Sequence, residues 1–377
     1  MKITVDTTSL SRELFKLQGI ANAKATLPIV QFALLTATAD GQLLLQATDL
    51  DVSLSTRIEC QTTTPGQIAL KAREFYDVVK NLKTETVTIN SEENHWANLR
   101  SGTVRARLVG ADPAEYPRIA SAANLQTVSL RTTALQRMID RTFFSVSTDE
   151  ARPNLTGALF QASNRGRLLM VSTDGYRLSK AETTPAFTFD DAPRSLQTGV
   201  IVPRKGLEQL RRTLDVTEGT TLFGFEGSTI VFLYGNTTLS IRLIDGTFPN
   251  FNQVIPEEKV ERRASVNRKE FLDRVKFVSL FSSSKTHNLR LQFEEDTCTI
   301  SAQDPDRGEC EEKVQITYSG NLVRAGFNNK YLTDVLGVIQ GETVTVEMVD
   351  ALSPTILRET EGDDGDDALF IVMPMRL

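Results

Sequence analysis

ATDLDVSL (47–54), STDGYRLS (172–179) and AQDPDRGE (302–309) are three versions of one phrase. Each places an Asp directly after a strand-like run: Asp49, Asp174 and Asp304. An Asp side chain hydrogen-bonds its own backbone two residues on, so such a phrase reads as a tight turn between strands. The aspartates recur at roughly 125 residues, the usual size of one domain. The 377-residue chain therefore reads as three copies of one unit.

Working outward, each phrase is flanked by the same elements. A helical stretch precedes it, at 9–22, 133–145 and 267–281. A second helix follows, at 72–83, 203–214 and 329–339, with Pro203 at the favoured first helical position of its stretch. Alternating strand-like runs fill the remainder, including 31–60 with a hairpin turn at Asp40-Gly41. The fold class is α+β. Three repeats are expected at 1–124, 125–255 and 256–377, each with two helices on one face of antiparallel sheets. Pro-containing segments near 113–117 and 249–256 mark the joints.

Composition narrows the function classes. No apolar run approaches the roughly 20 residues of a membrane span. The opening MKITVDTTSL has no apolar core of a secretory signal. Cys60, Cys298 and Cys310 lie far apart without a CxxC, which points to a reducing compartment such as the cytoplasm. The net charge is −6, yet the six helical stretches hold sixteen basic against eight acidic residues. They carry +8 and the rest of the chain −14. A shared helical surface of that kind suits a phosphate backbone and binds it without reading sequence. Plain solvation of helix faces accounts for the same count.

Catalytic constellations are missing. His95 and His287 have no neighbours at metal-ligand spacing, and there is no GxGxxG, Walker loop or GxSxG. STDGYR has no general base nearby and reads as a turn. The acidic run EGDDGDD (361–367) lacks calcium-loop spacing and reads as a solvated hairpin turn. The end of the chain is unusual. Leu369 to Val372 read as a buried strand, and Met373-Pro374-Met375-Arg376-Leu377 follow. On the residues alone, that tail is equally a packed core or a binding wall.

VMPMRL (372–377), TDGYRL (173–178), LPI (27–29), VPRKGLEQL (202–210), DGTFPNFNQVIP (245–256), TYSG (317–320) and GFN (326–328) with Tyr331 together resemble the bacterial DNA polymerase III β sliding clamps. The resemblance runs the length of the chain. It implies a head-to-tail homodimeric ring, with helices lining the hole and sheets outside. Such a ring is a non-enzymatic processivity factor without cofactor or metal, encircling duplex DNA regardless of sequence. Partners would be the polymerase III α subunit, the clamp loader, and other polymerases and repair factors. They would dock short peptides between the second and third repeats.

Carried over by resemblance, the peptide groove comprises Leu155, Thr173, Gly175, Tyr176, Arg177, Leu178, Pro249, Val254, Asn328, Tyr331, Leu352, Val372, Met373, Pro374, Met375, Arg376 and Leu377. Methionine is adaptable and polarisable, which suits a groove that accepts several peptides. Candidate phosphate contacts are Lys24, Arg73, Arg137, Arg141, Arg152, Arg204 and Lys205. Ring closure is expected to use Arg105 and Arg107 against Asp306, Glu309 and Glu312, around Leu280 and Phe281. The sequence departs from the family at TDEARPN (148–154), where only Arg152 suggests a DNA contact.

Overall fold

The computed structural model describes residues 1–21, 27–119, 125–163, 166–184, 192–215, 217, 219–256, 260, 262–359 and 366–376. Its elements fall into three similar series. The first is β1 (Lys2–Asp6), α1 (Thr7–Leu17), β2 (Phe32–Ala37), β3 (Gln42–Thr48), β4 (Val52–Glu59), β5 (Gln61–Thr64), β6 (Gly66–Lys71), α2 (Ala72–Val79), β7 (Thr86–Ser91), β8 (Trp96–Ser101) and β9 (Val104–Ala111). The second is β10 (Thr127–Arg131), α3 (Thr132–Thr142), β11 (Gly157–Ala162), β12 (Leu168–Thr173), β13 (Arg177–Thr183), α4 (Arg194–Thr198), β14 (Val200–Pro203), α5 (Arg204–Thr213), β15 (Thr220–Glu226), β16 (Thr229–Tyr234) and β17 (Thr237–Arg242). The third is β18 (Arg262–Asn267), α6 (Arg268–Ser279), β19 (Asn288–Glu294), β20 (Thr297–Asp304), β21 (Gly308–Ser319), β22 (Val323–Asn328), α7 (Asn329–Val338), β23 (Thr343–Met348), β24 (Thr355–Glu359) and β25 (Asp367–Val372).

The repeats share hydrogen bonds as well as order. The first residue of each leading helix donates to a loop carbonyl: Thr7 to Glu85 (2.8 Å), Thr132 to Gly219 (3.4 Å) and Arg268 to Glu342 (2.8 Å). The three aspartates of the repeated phrase act alike. Asp49 Oδ1 accepts from the amides of Asp51 and Val52, Asp174 Oδ1 from those of Tyr176 and Arg177, and Asp304 Oδ1 from that of Asp306. Alternation fixes the strand faces. In β4, Val52, Leu54, Thr56 and Ile58 point inward while the residues between them face out.

The chain packs as two compact units, Met1–Thr133 with Lys205–Leu243, and Ala134–Arg204 with Ile244–Leu377. Among the described residues each unit holds one antiparallel sheet. The first runs β10-β15-β16-β17-β4-β3-β2-β6-β9-β8-β7-β1-β5, the second β14-β11-β12-β13-β25-β24-β23-β18-β21-β20-β19-β22. Two ladders splice consecutive repeats into these sheets: β4 with β17, and β13 with β25.

Two expectations are corrected here. Pro203 does not open a helix; it ends β14, paired with Gly157, where its missing N–H costs the ladder least. The short helix α4, five residues long, gives too little periodicity to be read from sequence. Among the described residues no helix is long and apolar enough to cross a membrane.

Candidate functional site

The turn between β12 and β13 is built from Thr173, Asp174 and Gly175. Thr173 Oγ1 donates to the Arg177 carbonyl (2.6 Å) and accepts from the Gly175 amide (3.0 Å). Gly175 has φ +92°, and a Cβ there would stand 2.8 Å from Arg152 Nη1. Only glycine takes this conformation freely, so the turn is tight. It throws Tyr176 outward, 62% exposed, and draws Arg177 in.

Arg177 welds three elements. Its Nε reaches Asp174 Oδ2 (3.0 Å), Nη1 reaches Asp334 Oδ2 on α7 (2.6 Å), and Nη2 donates to the Phe144 carbonyl (2.7 Å). The guanidinium also lies 4.5 Å from the Tyr331 ring centre and 5.2 Å from that of Phe144. A planar fork satisfies these geometries and an ammonium does not. Burial, with the Asp174 carboxylate adding to it, pushes the Tyr331 phenol above its ordinary value.

The C-terminal tail crosses this turn. β25 pairs with β13 in the register Arg177 with Val372. Beyond it the Met373 amide donates to the Tyr176 carbonyl (2.9 Å), and the Met375 amide to that of Gly326 (2.8 Å). Pro374 lies between them with no N–H to satisfy. Met373, Pro374 and Met375 are therefore tethered by backbone but stay half-buried at the surface, and Arg376 is exposed.

The remaining groove candidates divide by burial. Leu155 and Leu178 are 6% and 3% exposed and pack in a buried cluster with Phe248, Ile201 and Ile371. Phe251 and Ile255 pack on that cluster from either side of Val254, which is 42% exposed. Pro249 is exposed, and Leu352, 65% exposed, lies three residues before Thr355, the partner of Val372. Asn328 caps α7 by accepting from the Lys330 amide. Val372 is corrected: it is fully buried in the third repeat's core and offers no surface. Leu377 lies outside the described residues.

The phosphate candidates separate more sharply. Arg141 is 3% exposed and ion-paired with Glu359, whose other oxygen accepts from the amides of Gln340 and Gly341. Arg137 reaches Asp366 at 2.7 Å with its side chain 16% exposed. Arg204 donates to the carbonyls of Phe143 and Val146 and lies over the Phe143 ring. All three are structural staples and not free cations. Charge counting missed this because the carboxylates come from 218 and 229 residues away. Of the acidic run expected as a solvated turn, Asp366 is buried and Asp367 exposed, and 361–365 lie outside the described residues. Arg73 is exposed on α2, Lys205 is half-exposed beside Asp49, and Arg152 is half-exposed beside Asp149. Lys24 lies outside the described residues.

Among the described residues, Arg105 and Arg107 lie on β9 and Glu309 and Glu312 on β21, two strands paired along one side for most of their length, with Asp306 in the turn before β21 and Leu280 and Phe281 at the end of α6. β9 pairs with β8 from Val104 to Val109 but with β6 only at Gly110 and Ala111. β21 pairs with β20 from Gly308 to Gln315 but with β18 only from Ile316 onward. Arg105 and Arg107 are exposed on the first edge, and Arg107 is paired with Glu92 (2.6 Å). Asp306 and Glu309 are exposed at the second, with Glu312 held by Arg274 (3.2 Å). Leu280 is 63% exposed, whereas Phe281 is half-buried against the core and Phe277.

Comparison with known proteins agrees with this geometry. Family models of the DNA polymerase III β subunit match in order: the N-terminal domain at 1–120, the central domain at 129–250 and the C-terminal domain at 252–376. The chain is 31% identical to the β sliding clamp of Pseudomonas aeruginosa and 29% to that of Vibrio cholerae, covering all of both chains. A solved DNA polymerase sliding clamp from Bacillus subtilis matches with TM-score 0.92 at 26% identity, over 100% of this chain and 99% of that one. One from P. aeruginosa bound to griselimycin matches with TM-score 0.91 at 31% identity, over the whole of both chains. The architecture is that of a DNA clamp, a class that works by topology and contact and performs no chemistry of its own. The chain belongs to the bacterial DNA polymerase III β-subunit family, the β sliding clamps.

Proposed function

We propose that two copies close head to tail, the β9 edge of each meeting the β21 edge of the other, into a ring around duplex DNA. Unpaired edges invite strand addition, and the basic and acidic side chains on the two edges are complementary. The repeats are assigned to 1–124, 125–255 and 256–377, and the working compartment is the cytoplasm. Arg73, Arg152 and Lys205, with Lys24, are the phosphate contacts, and binding ignores base sequence.

Partner proteins, among them the polymerase III α subunit and the clamp loader, dock short peptides against Tyr176, Pro249, Val254, Tyr331, Leu352 and Met373–Met375. The observation that carries this reading is the tail, pinned by Met373 to Tyr176 so that two methionines and a proline stay at the surface. The griselimycin-bound relatives from P. aeruginosa and Bartonella birtlesii support a ligand groove in this fold.

The test is retention on DNA. Clamp loaded on a nicked circular plasmid is expected to co-elute with it and to be lost when the plasmid is cut once. Equal retention on circular and linear DNA would mean ordinary binding without encirclement.

A further inference from the structure

Where α1 meets α2, the first unit exposes an aromatic pair. Phe15 is 42% exposed, and its ring centre lies 5.9 Å from that of half-buried Tyr76. Cations lie on both rings. The Arg212 guanidinium on α5 is 4.2 Å from the centre of Phe15 and donates to its carbonyl (2.9 Å), and Lys80 Nζ is 5.0 Å from the centre of Tyr76. Beside them opens a cleft of about 390 Å³ between the two helices, reaching Thr8, Ser11, Arg12 and Leu82.

The fold does not require these aromatics. Counted from the first residue of each leading helix, Phe15 corresponds to Asp140 on α3 and Lys276 on α6. Counted from the start of each second helix, Tyr76 corresponds to Glu208 on α5 and Thr333 on α7. Two of three repeats build the same positions from polar residues. Phosphate contacts alone need no exposed ring, because cations on a solvated helix supply them. Two rings and the Arg212 guanidinium plane, with Lys80 and Arg12 (itself paired with Glu13 at 3.1 Å) beside them, are the chemistry that holds unpaired bases, which stack on π-faces.

We propose that Phe15, Tyr76 and Arg212 form a stacking platform for unpaired nucleotides, such as the single strand next to a duplex end. The proposal rests on the reading of the protein as a DNA clamp and adds to it a preference for single strands at one place. Asp77 beside Lys80 leaves the local charge moderate, so stacking carries a large share of the affinity.

The test titrates the intact protein, at low salt, against fluorescein-labelled oligo(dT) and against a duplex of equal length. Phe15→Leu with Tyr76→Leu keeps apolar bulk and removes the π-faces. Oligo(dT) affinity is expected to fall about tenfold, the loss of ~1.4 kcal/mol, while duplex affinity changes less than twofold. No change, a parallel loss on both ligands, or no oligo(dT) binding by the wild type would overturn the proposal. If the double variant fails to fold, photocrosslinking of 5-iodouracil oligonucleotide to the wild type decides. Adducts on Phe15 or Tyr76 support the platform, and adducts only elsewhere, or none, refute it. Retention on circular DNA is a separate readout, so loss of the platform and loss of the clamp reading are distinguishable.

Discussion

The two ladders that splice the repeats have one backbone and opposite surfaces. At the first, the Arg242 amide donates to the Asp51 carbonyl (2.8 Å); at the second, the Met373 amide donates to the Tyr176 carbonyl (2.9 Å). Both turns carry a residue with positive φ, Leu50 at +81° and Gly175 at +92°. The side chains then diverge. The first ladder offers Asp51 and Arg242 where the second offers Tyr176 and Met373. In the first, Gly206 sits so close to Ile241 that a Cβ would stand 2.3 Å from its Cγ2. In the second, the matching helix position is Tyr331, half-buried and stacked on Arg177. A repeated frame thus carries Tyr176, Tyr331 and the methionine tail at one splice, and Asp51, Arg242 and a tight Gly206–Ile241 contact at the other. The difference lies in a handful of side chains and not in the fold.

The comparison breaks most completely if the tail is removed. Deleting Met373 to Leu377, and sparing the core residue Val372, should abolish binding of a polymerase-derived peptide by calorimetry, a loss above about 100-fold, or ~2.7 kcal/mol. The dimer should survive in sedimentation, because the β9 and β21 edges are untouched. Arg177→Ala should come next. It strips two carboxylates and a carbonyl of their partner, so a destabilisation of roughly 2 kcal/mol and an affinity loss of about tenfold are expected. Arg177→Lys should fail to rescue, since an ammonium cannot span Asp174, Asp334 and the Phe144 carbonyl together. Full burial of a methionine is worth about 1.5–3 kcal/mol. Met373 and Met375 are half-buried before any ligand arrives, so Met373→Ala with Met375→Ala should cost about tenfold in affinity and little stability. The smallest effect is the most pointed. Asp51→Tyr with Arg242→Met, which gives the first splice the second's side chains, should create no measurable peptide site, because Gly206 and Ile241 still close it. A new site of comparable affinity there would show that Tyr331 and the tail are dispensable.

Much of this was legible in the sequence because repetition and turn chemistry are local. The aspartate phrase and the paired helices follow from residues within a few positions of one another, whereas the tail's half-buried position needed Tyr176 and Gly326. The rest depended on distant partners. Arg137 and Arg141 look like exposed helix cations until Asp366 and Glu359 arrive across the second unit, and Val372 looks like groove until the strand register turns it inward. Arg204 is similar: its guanidinium is spent on carbonyls of the segment after α3, which no helix-face count reveals. Arg177 is legible as conspicuous within TDGYRL, but its bond to Asp334 needed α7 in place.

The central claim, that only the second splice is a binding site, is tested most directly by hydrogen–deuterium exchange with a saturating polymerase-derived peptide. Amides at 175–177, 326–331, 373, 375 and 376 should gain protection, while those at 49–52, 204–207 and 241–243 should exchange as in the free protein. Equal protection at the first splice, or none at the second, would contradict it.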